Sequence, residues 1–462
     1  MKRKHNLVEG PINSTIINMA SGMLLGLFAM SAFNAVDTYF VGQLGTSELA
    51  AMGFTFPVVM ILNSISLGLG IGLSSNVSRA IGSGNQHKVK RLTFDGIMLA
   101  VLVVIIFMGI GITTITPLFE MLGANETTLF LIHNYMIIWY IGLPFVVIPM
   151  VGNNVIRATG DTITPSMIMI ASVVVNSILD PLLIFGIGIF PEMGIAGAAL
   201  ATVISRFTTL LFSLYILIVR DKLLQFQKGP LKEILESWKE IAFVGVPASL
   251  VQAITPLSLA VLTRLLARYG QNVVAGYGAA SRVEMLIIMI PNSLATVMAP
   301  FAGQNWGANN KLRIKKAATF TSIISIGYGV LIFVFLLFFA EPIVRLFNND
   351  PTIVTSGSSY LKIVSLSYGF LGMLIIVSQS LNGMNKPLHS AFISLIKAFI
   401  VNVPVALLLS FYFQEKGIFI ASFITNVVGG LIGIIVLYAL LNKNTDEKEE
   451  IPLNEEQPIS SI

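Results

Sequence analysis

The chain reads as long apolar runs separated by short polar breaks. Roughly twelve of them exceed the ~20 residues that cross a bilayer as a helix. In the first half they lie near 12–43, 47–80, 92–119, 127–156, 163–188 and 194–219. In the second half they lie near 240–268, 273–302, 315–341, 356–381, 386–412 and 416–441. Several are longer than a straight span requires, so they must tilt, bend or project past the hydrocarbon. The alternation over ~10 residues that marks an outer-membrane barrel is absent from them. The pattern predicts an all-α polytopic membrane protein.

The pattern also repeats. Displaced by 225 positions, the second run falls on the eighth without gaps: Gly45 meets Gly270, Gly53 meets Gly278, Gly82 meets Gly307, Asn85 meets Asn310 and Lys90 meets Lys315. Displaced by 223, the fifth and sixth runs fall on the last two. There Gly160 meets Gly383, Pro181 meets Pro404, Gly194 meets Gly417, Ala198 meets Ala421 and Thr202 meets Thr425. The expected organisation is an N-terminal lobe (1–219), a polar cytoplasmic linker (220–239), a C-terminal lobe (240–441) and a disordered cytoplasmic tail (442–462). Six spans per lobe give both the same orientation, so their pseudo-twofold axis runs along the membrane normal. Parallel repeats of this kind place a substrate path between the lobes.

Charge sets the expected orientation. Basic clusters occur at Lys2-Arg3-Lys4, at Lys88-Val89-Lys90-Arg91, between Arg220 and Lys239, and from Lys311 to Lys316. Twelve spans put all four on one side, which should be the cytoplasm, with both termini there. The expected location is the plasma (inner) membrane. The loops "GANE", "FPEM" and "NNDP" then face outward. Composition agrees, with 55% hydrophobic residues, 11% charged and a mean hydropathy of +0.83, against about 25% charged in soluble domains. The first run is too long for a cleaved signal peptide and lacks a small-residue cleavage site. Cysteine is absent, which removes disulfides and thiolate metal sites. The net charge of +5 reflects the basic loops and gives no sign of nucleic-acid binding.

Candidate chemistry emerges where the lobes differ. Under these displacements Asp37, in "FNAVDTYFVG", corresponds to Leu262, Asn176 to Phe399 and Asp180 to Val403. An ionisable residue at membrane depth costs about 2.5–3.5 kcal/mol on insertion scales. Two acids retained in one lobe alone therefore point to a task of that lobe. At 1.5 Å per residue, Asp37 and Asp180 each lie roughly 10 Å below the outer ends of their helices. Asn176 shares a face with Asp180 at i, i+4. Ala198, Thr202 and Tyr135 come to a similar level. Two carboxylates in a low-dielectric pocket cannot both stay ionised cheaply, so a proton or a cation should sit between them. Carboxylate, amide and hydroxyl oxygens are also what a hard cation prefers. The expected site takes H⁺ or Na⁺, with Na⁺ accommodated by Asp37, Asn176, Asp180 and Thr202.

Other polar residues in the spans carry milder expectations. Glu284 and Arg282 are expected to be structural, satisfying each other or neighbouring Tyr277, or to touch substrate, and Lys397 is either a cavity charge or the partner of Glu284. Asn34 lies one turn before Asp37. Arg206 is expected near the inner leaflet, snorkelling or pairing, Asp95 as a helix cap, and Arg157 and Asp161 as braces of the turn "RATGD". The histidines, at 5, 87, 133 and 389, have no ligand spacing. That argues against an intramembrane enzyme. "GLGIG" at 68–72 has neither the strand nor the Lys-Ser/Thr of a nucleotide loop. Small residues in a span normally mean close helix packing.

Together "NAVDTYFVG", "ELAAMGFTFPV", "IRATGDTITPSM", "VVNSILDPLLIFG" and "GIAGAALATVIS" resemble the multidrug and toxic compound extrusion (MATE) transporters. The DNA-damage-inducible and archaeal-type branch is the most similar, over residues 11 to 441. The resemblance implies two six-helix lobes and a coupling site at Asp37, Asn176, Asp180 and Thr202, with a carbonyl near Ala198 and a tyrosine at Tyr135. It further implies antiport, in which H⁺ or Na⁺ entry drives export of amphipathic, often cationic compounds by alternating access. One departure is the first helix, where many members carry a proline and this chain has "NMASGMLLG". No cofactor is expected beyond the coupling ion; the expected partners are a small-molecule substrate and the bilayer, in a monomer. The alternative is a flippase for lipid-linked oligosaccharide or peptidoglycan precursors, hinted at by Lys397 and Arg282.

Overall fold

A computed structural model describes residues 7–227 and 229–446. Its first lobe contains α1 (Ile12–Gly42), α2 (Thr46–Gly82), α3 (Gln86–Met121), α4 (Glu126–Ala158), α5 (Ile163–Ile184) and α6 (Ile195–Tyr215), the last running into a π-helical turn, Ile216–Arg220. The second lobe opens with α7 (Leu231–Leu266), α8 (Gln271–Ile287), α9 (Met289–Gly307) and α10 (Lys311–Arg345). It continues with α11 (Pro351–Ser365), α12 (Tyr368–Gly383) and α13 (Pro387–Leu395), then a π-helical stretch, Ile396–Asn402, α14 (Val403–Phe413) and α15 (Glu415–Asp446). Among the described residues ten continuous spans are long and apolar enough to cross a membrane, and the bent pairs α8–α9 and α11–α12, each taken as one span, bring the count to twelve. The protein is a multi-pass membrane protein of two six-span lobes.

The bent pairs mark a difference between the lobes. α2 and α4 run unbroken where α8–α9 turns by 44° and α11–α12 by 59°. Carbonyls freed at such breaks need partners in a bilayer. The Tyr328 hydroxyl donates to the Ile287 carbonyl at 3.0 Å. At the second break Ser367 donates to Val364 and accepts from the Asn426 amide at 3.0 Å.

Each lobe has its own apolar core, and a third cluster joins Leu7, Ile16, Met19 and Ala20 to α9, α10, α12 and α15. Hydrogen bonds between the lobes gather at the end carrying the basic loops: Ser75 to the Asn382 carbonyl, Gln304 to the Ala158 carbonyl, and Asn305 to the Leu7 carbonyl. Glycines allow the close approach there. A Cβ on Gly68 would stand 2.5 Å from the Gly245 carbonyl oxygen, and one on Gly72 2.4 Å from that of Ile241.

Several expectations change. The stretch 220–239 is not wholly a linker, because α7 already begins at Leu231. That first part of α7 docks on α3, where Trp238 donates to the Asp95 carbonyl at 2.9 Å and Arg91 pairs with Glu233. Asp95 caps nothing: it is buried in mid-helix beside Arg91, and the cap of α3 is Asn85, which accepts from the Lys88 amide at 2.9 Å. Asp161 does brace its turn, accepting from the Thr164 amide and pairing with Arg220, whereas Arg157 turns instead to Asn154. α15 extends past the expected start of the tail, and residues 447–462 lie outside the described residues, as does Lys2-Arg3-Lys4.

The repeat register is also corrected. α4 and the α11–α12 pair keep the 225 displacement at both ends, which makes Tyr360 the counterpart of Tyr135. Beyond them the packing differs from the 223 register. Gly197 lies against the Leu183 carbonyl as Gly417 lies against that of Leu409. Residue 183 thus matches 409, and 197 matches 417. The π-helical stretch Ile396–Asn402 accommodates the one extra residue that moves the displacement from 225 to 226. Asn176 therefore corresponds to Asn402 rather than Phe399, Asp180 to Ala406 rather than Val403, and Thr202 to Ser422 rather than Thr425. The amide is common to both lobes and only the acids are not.

Candidate functional site

In the first lobe α5 packs against both α1 and α6, and α4 packs against α6. α1 lies close to α5 at the end nearer the basic loops, where a Cβ on Gly26 would stand 2.7 Å from the Ser166 hydroxyl oxygen and Thr162 donates to the Met19 carbonyl at 2.8 Å. Further from the basic loops this arrangement encloses two acids. Asp180 and Asn176 are fully buried, and the Asn176 amide donates to Asp180 Oδ1 at 3.0 Å. Asp37 is 9% exposed. The two carboxylates feel one another, and the buried Tyr135 hydroxyl lies within electrostatic reach of both.

What the site lacks defines its chemistry. Asp37 Oδ1, Asn176 Oδ1 and Asp180 Oδ2 are buried without a hydrogen-bond donor. A buried polar atom is nearly always partnered, and an ionised carboxylate is an acceptor only. Three orphaned acceptors on two helices call for a proton or a small cation. Asn402, the counterpart of Asn176, has the same orphaned Oδ1, but Leu262 and Ala406 stand where the acids would be, so the unpartnered carboxylate oxygens belong to the first lobe.

The structure sorts the other expected residues. Ala198 and Thr202 are buried one turn apart on α6 and share its face with Arg206 one turn further. Asn34 has an exposed side chain, and its carbonyl accepts from Thr38 at 2.8 Å, so it stands outside the acid cluster. Of the two expectations for Arg206, snorkelling or pairing, the structure shows pairing. Its guanidinium sits 4.5 Å from the centre of the Phe33 ring and interacts electrostatically with Asp37. Phe33 and Asp37 are one turn apart on α1. The i, i+4 spacing of Arg206 from Thr202 was the signal that would have placed it here.

A second polar cluster lies in the other lobe. The Tyr360 hydroxyl donates to Glu284. Tyr277 packs edge-on against Tyr360 at 5.0 Å, and Phe419 does the same at 5.2 Å. Lys397 interacts electrostatically with Glu284, its stem lying along Gly429. Arg282 is exposed, and among the described residues no ion pair joins it to Glu284. The expected Glu284–Arg282 pair is thus replaced by Glu284–Tyr360.

Two inward-packed, parallel six-span lobes with an acid pair buried in one of them define a polytopic membrane transporter. Comparison with known proteins gives the family. The MatE family model matches residues 23–182 and again 247–408, once in each lobe. The chain belongs to the MATE family of multidrug efflux transporters. It is 39% identical over 431 residues to the FAD transporter of Shewanella oneidensis, covering 93% of this chain and 95% of that protein. It is 26% identical to the multidrug export protein MepA of Staphylococcus aureus, over 96% of this chain and 97% of that one. Among solved structures, the Vibrio cholerae MATE transporter VcmN in its bent form superimposes with a TM-score of 0.89 at 28% identity, over 94% and 98% of the two chains.

Proposed function

We propose that this protein is a secondary antiporter that couples entry of H⁺ or Na⁺ at the first-lobe acids to export of an amphipathic organic compound. The observation that carries the reading is the set of three orphaned acceptor oxygens on Asp37, Asn176 and Asp180. Thr202 and the Ala198 carbonyl supply further oxygens at the same face of α6, and Tyr135 supplies a hydroxyl. Following the bias of Lys and Arg, the basic end is cytoplasmic, so the lobes meet at the inner face and the path opens outward. Binding of the cation changes the charge of a buried pocket, alters the packing of α1 on its neighbours and disfavours bound cargo. The cargo leaves outward, and the cation departs inward when the lobes rock.

The test is efflux from proteoliposomes under an imposed pH gradient or Na⁺ gradient, run separately. The expected result is efflux driven by one gradient and lost in both Asp37→Asn and Asp180→Asn. Undiminished gradient-driven efflux by either variant would remove the acids from the mechanism.

A second reading concerns the cargo. The relative of 39% identity carries the name FAD transporter, and the second lobe offers the cations Lys397 and Arg282. An anionic flavin dinucleotide is therefore a cargo beside cationic drugs. Vesicles loaded with FAD or with a cationic dye decide between them.

A further inference from the structure

We infer that Arg206 is a built-in counter-ion of the acid pair: it supplies one of the positive charges the site needs, and thereby sets how many cations, and how tightly, the site takes from outside. This deepens the coupling reading above and rests on it.

The geometry starts from α6. Arg206 follows Thr202 by one turn and Ala198 by two, on the face that looks toward α1 and α5. Its guanidinium lies over the Phe33 ring at 4.5 Å, and Phe33 is itself 6% exposed. A cation held on an aromatic face gains most when water is excluded. One turn outward from Phe33 is Asp37, whose charge interacts with Arg206. The groups facing this region are Asp37 from α1, Tyr135 from α4, and Asn176 and Asp180 from α5; α6 carries no other charged residue, and its remaining ionisable group, Tyr215, lies more than two turns further along. Tyr135 is a neutral phenol at ordinary pH, so the charge count is two carboxylates against one guanidinium.

That count has a consequence. Two buried like charges repel strongly, and a fixed positive charge beside them relieves one. With Arg206 in place the cluster is one charge from neutrality, and a single proton or Na⁺ completes it. Without Arg206 it is two charges away and must hold an incoming cation more tightly. Arginine suits the task, because its guanidinium stays charged where a buried lysine can lose its proton. The same side chain ties α1 to α6 through Phe33. Occupancy of Asp37 is thus felt by the outer part of α1, which has no proline of its own between Ile12 and Gly42.

The experiment reads cation binding without transport. Trp139 lies one turn from Tyr135 on α4 and is buried, so its fluorescence reports on the site. In purified protein carrying Trp238→Phe and Trp306→Phe, this signal is titrated with pH and with Na⁺. The expected result for Arg206→Met is at least about tenfold tighter cation binding, read as a pH midpoint about one unit higher or an Na⁺ midpoint about tenfold lower. Arg206→Lys should bring the midpoint back toward wild type to the extent that the buried lysine keeps its proton, and adding Asp180→Asn to Arg206→Met should bring it back as well. If Arg206→Met does not fold, Arg206→Gln carries the same expectation. An unchanged midpoint in folded neutral variants would overturn the inference. So would loss of FAD efflux with an unchanged midpoint, which would make Arg206 an anion-binding residue for cargo. A wild-type signal that responds to neither ion would instead remove the coupling reading itself, and this inference with it.

Discussion

Gly82 of α2 and Gly307 of α9 occupy equivalent places in the two lobes and are each closed over by the other's helix. A Cβ on Gly82 would stand 1.9 Å from the Gln304 carbonyl oxygen, and one on Gly307 2.1 Å from that of Arg79. Arg79 and Gln304 are themselves equivalent under the 225 displacement. The contact is reciprocal, so the pseudo-twofold axis passes between these two helices at the basic end. Both contacts are to backbone, which cannot swing aside as a side chain can.

This crossing predicts the conformational effect of a single methyl group. Gly82→Ala or Gly307→Ala should force the lobes apart at the basic end and favour the state closed at the opposite end. The chain lacks cysteine, so spin labels at Met121→Cys and Leu346→Cys report only the chosen pair. Both sites are well exposed at the ends of α3 and α10 opposite the basic loops. Either alanine should shorten the label–label distance, while Gly84→Ala, which meets nothing within 4 Å, should leave the distance as it is apart from its local turn.

A latch at the same end should act in the same direction. Arg313 of α10 donates to the carbonyls of Leu7, Glu9 and Gly10, and Asn305 also donates to Leu7. The second lobe thereby holds the segment leading into α1. Arg313→Ala removes three charge-assisted bonds to this segment and a fourth to Asn305 Oδ1, and mostly exposed ones contribute about 1 kcal/mol or less each. Hydrogen exchange of residues 7–12 should accelerate, and the outer-end distance should shorten. Unchanged exchange would show that burial of Leu7, rather than Arg313, holds the segment.

Asn176 should matter through Asp180. Its amide is the only side-chain donor that Asp180 has among the described residues. Asn176→Ala should cost about 1–3 kcal/mol if Asp180 is ionised in the resting protein, lowering the thermal midpoint. Asp180→Asn added to it should recover part of the loss. A non-additive pair measures the coupling directly.

The second-lobe cluster should separate cargo recognition from ion coupling. Glu284→Gln is expected to change the apparent KM for cargo several-fold while leaving the Trp139 cation titration as in wild type. Tyr360→Phe should resemble it, since it removes the donor to Glu284. A shift of the cation midpoint in either variant would mean that the two clusters act as one.

Much of this was legible in order along the chain. The apolar runs gave twelve spans because a bilayer demands length and internally satisfied backbone. The acids were legible because charge in a span is costly. Register was less so: the π-helical stretch Ile396–Asn402 slips one residue, and a displacement read from glycines and prolines alone paired Asn176 with Phe399. The partner of Arg206 was not legible, because depth along one helix does not say which neighbour a long side chain meets. The first part of α7 was hidden because its charges resemble a solvated linker until Arg91 and Asp95 are seen beneath them.

The sequence by itself determined the class of protein, the duplication and the two acids, since each follows from local composition and spacing. Tertiary structure decided what those acids face. The orphaned oxygens, the Phe33–Arg206 contact and the reciprocal Gly82–Gly307 crossing all join residues far apart in the chain. Their distances depend on how helices pack around one another, and packing is a property of facing surfaces rather than of any single helix.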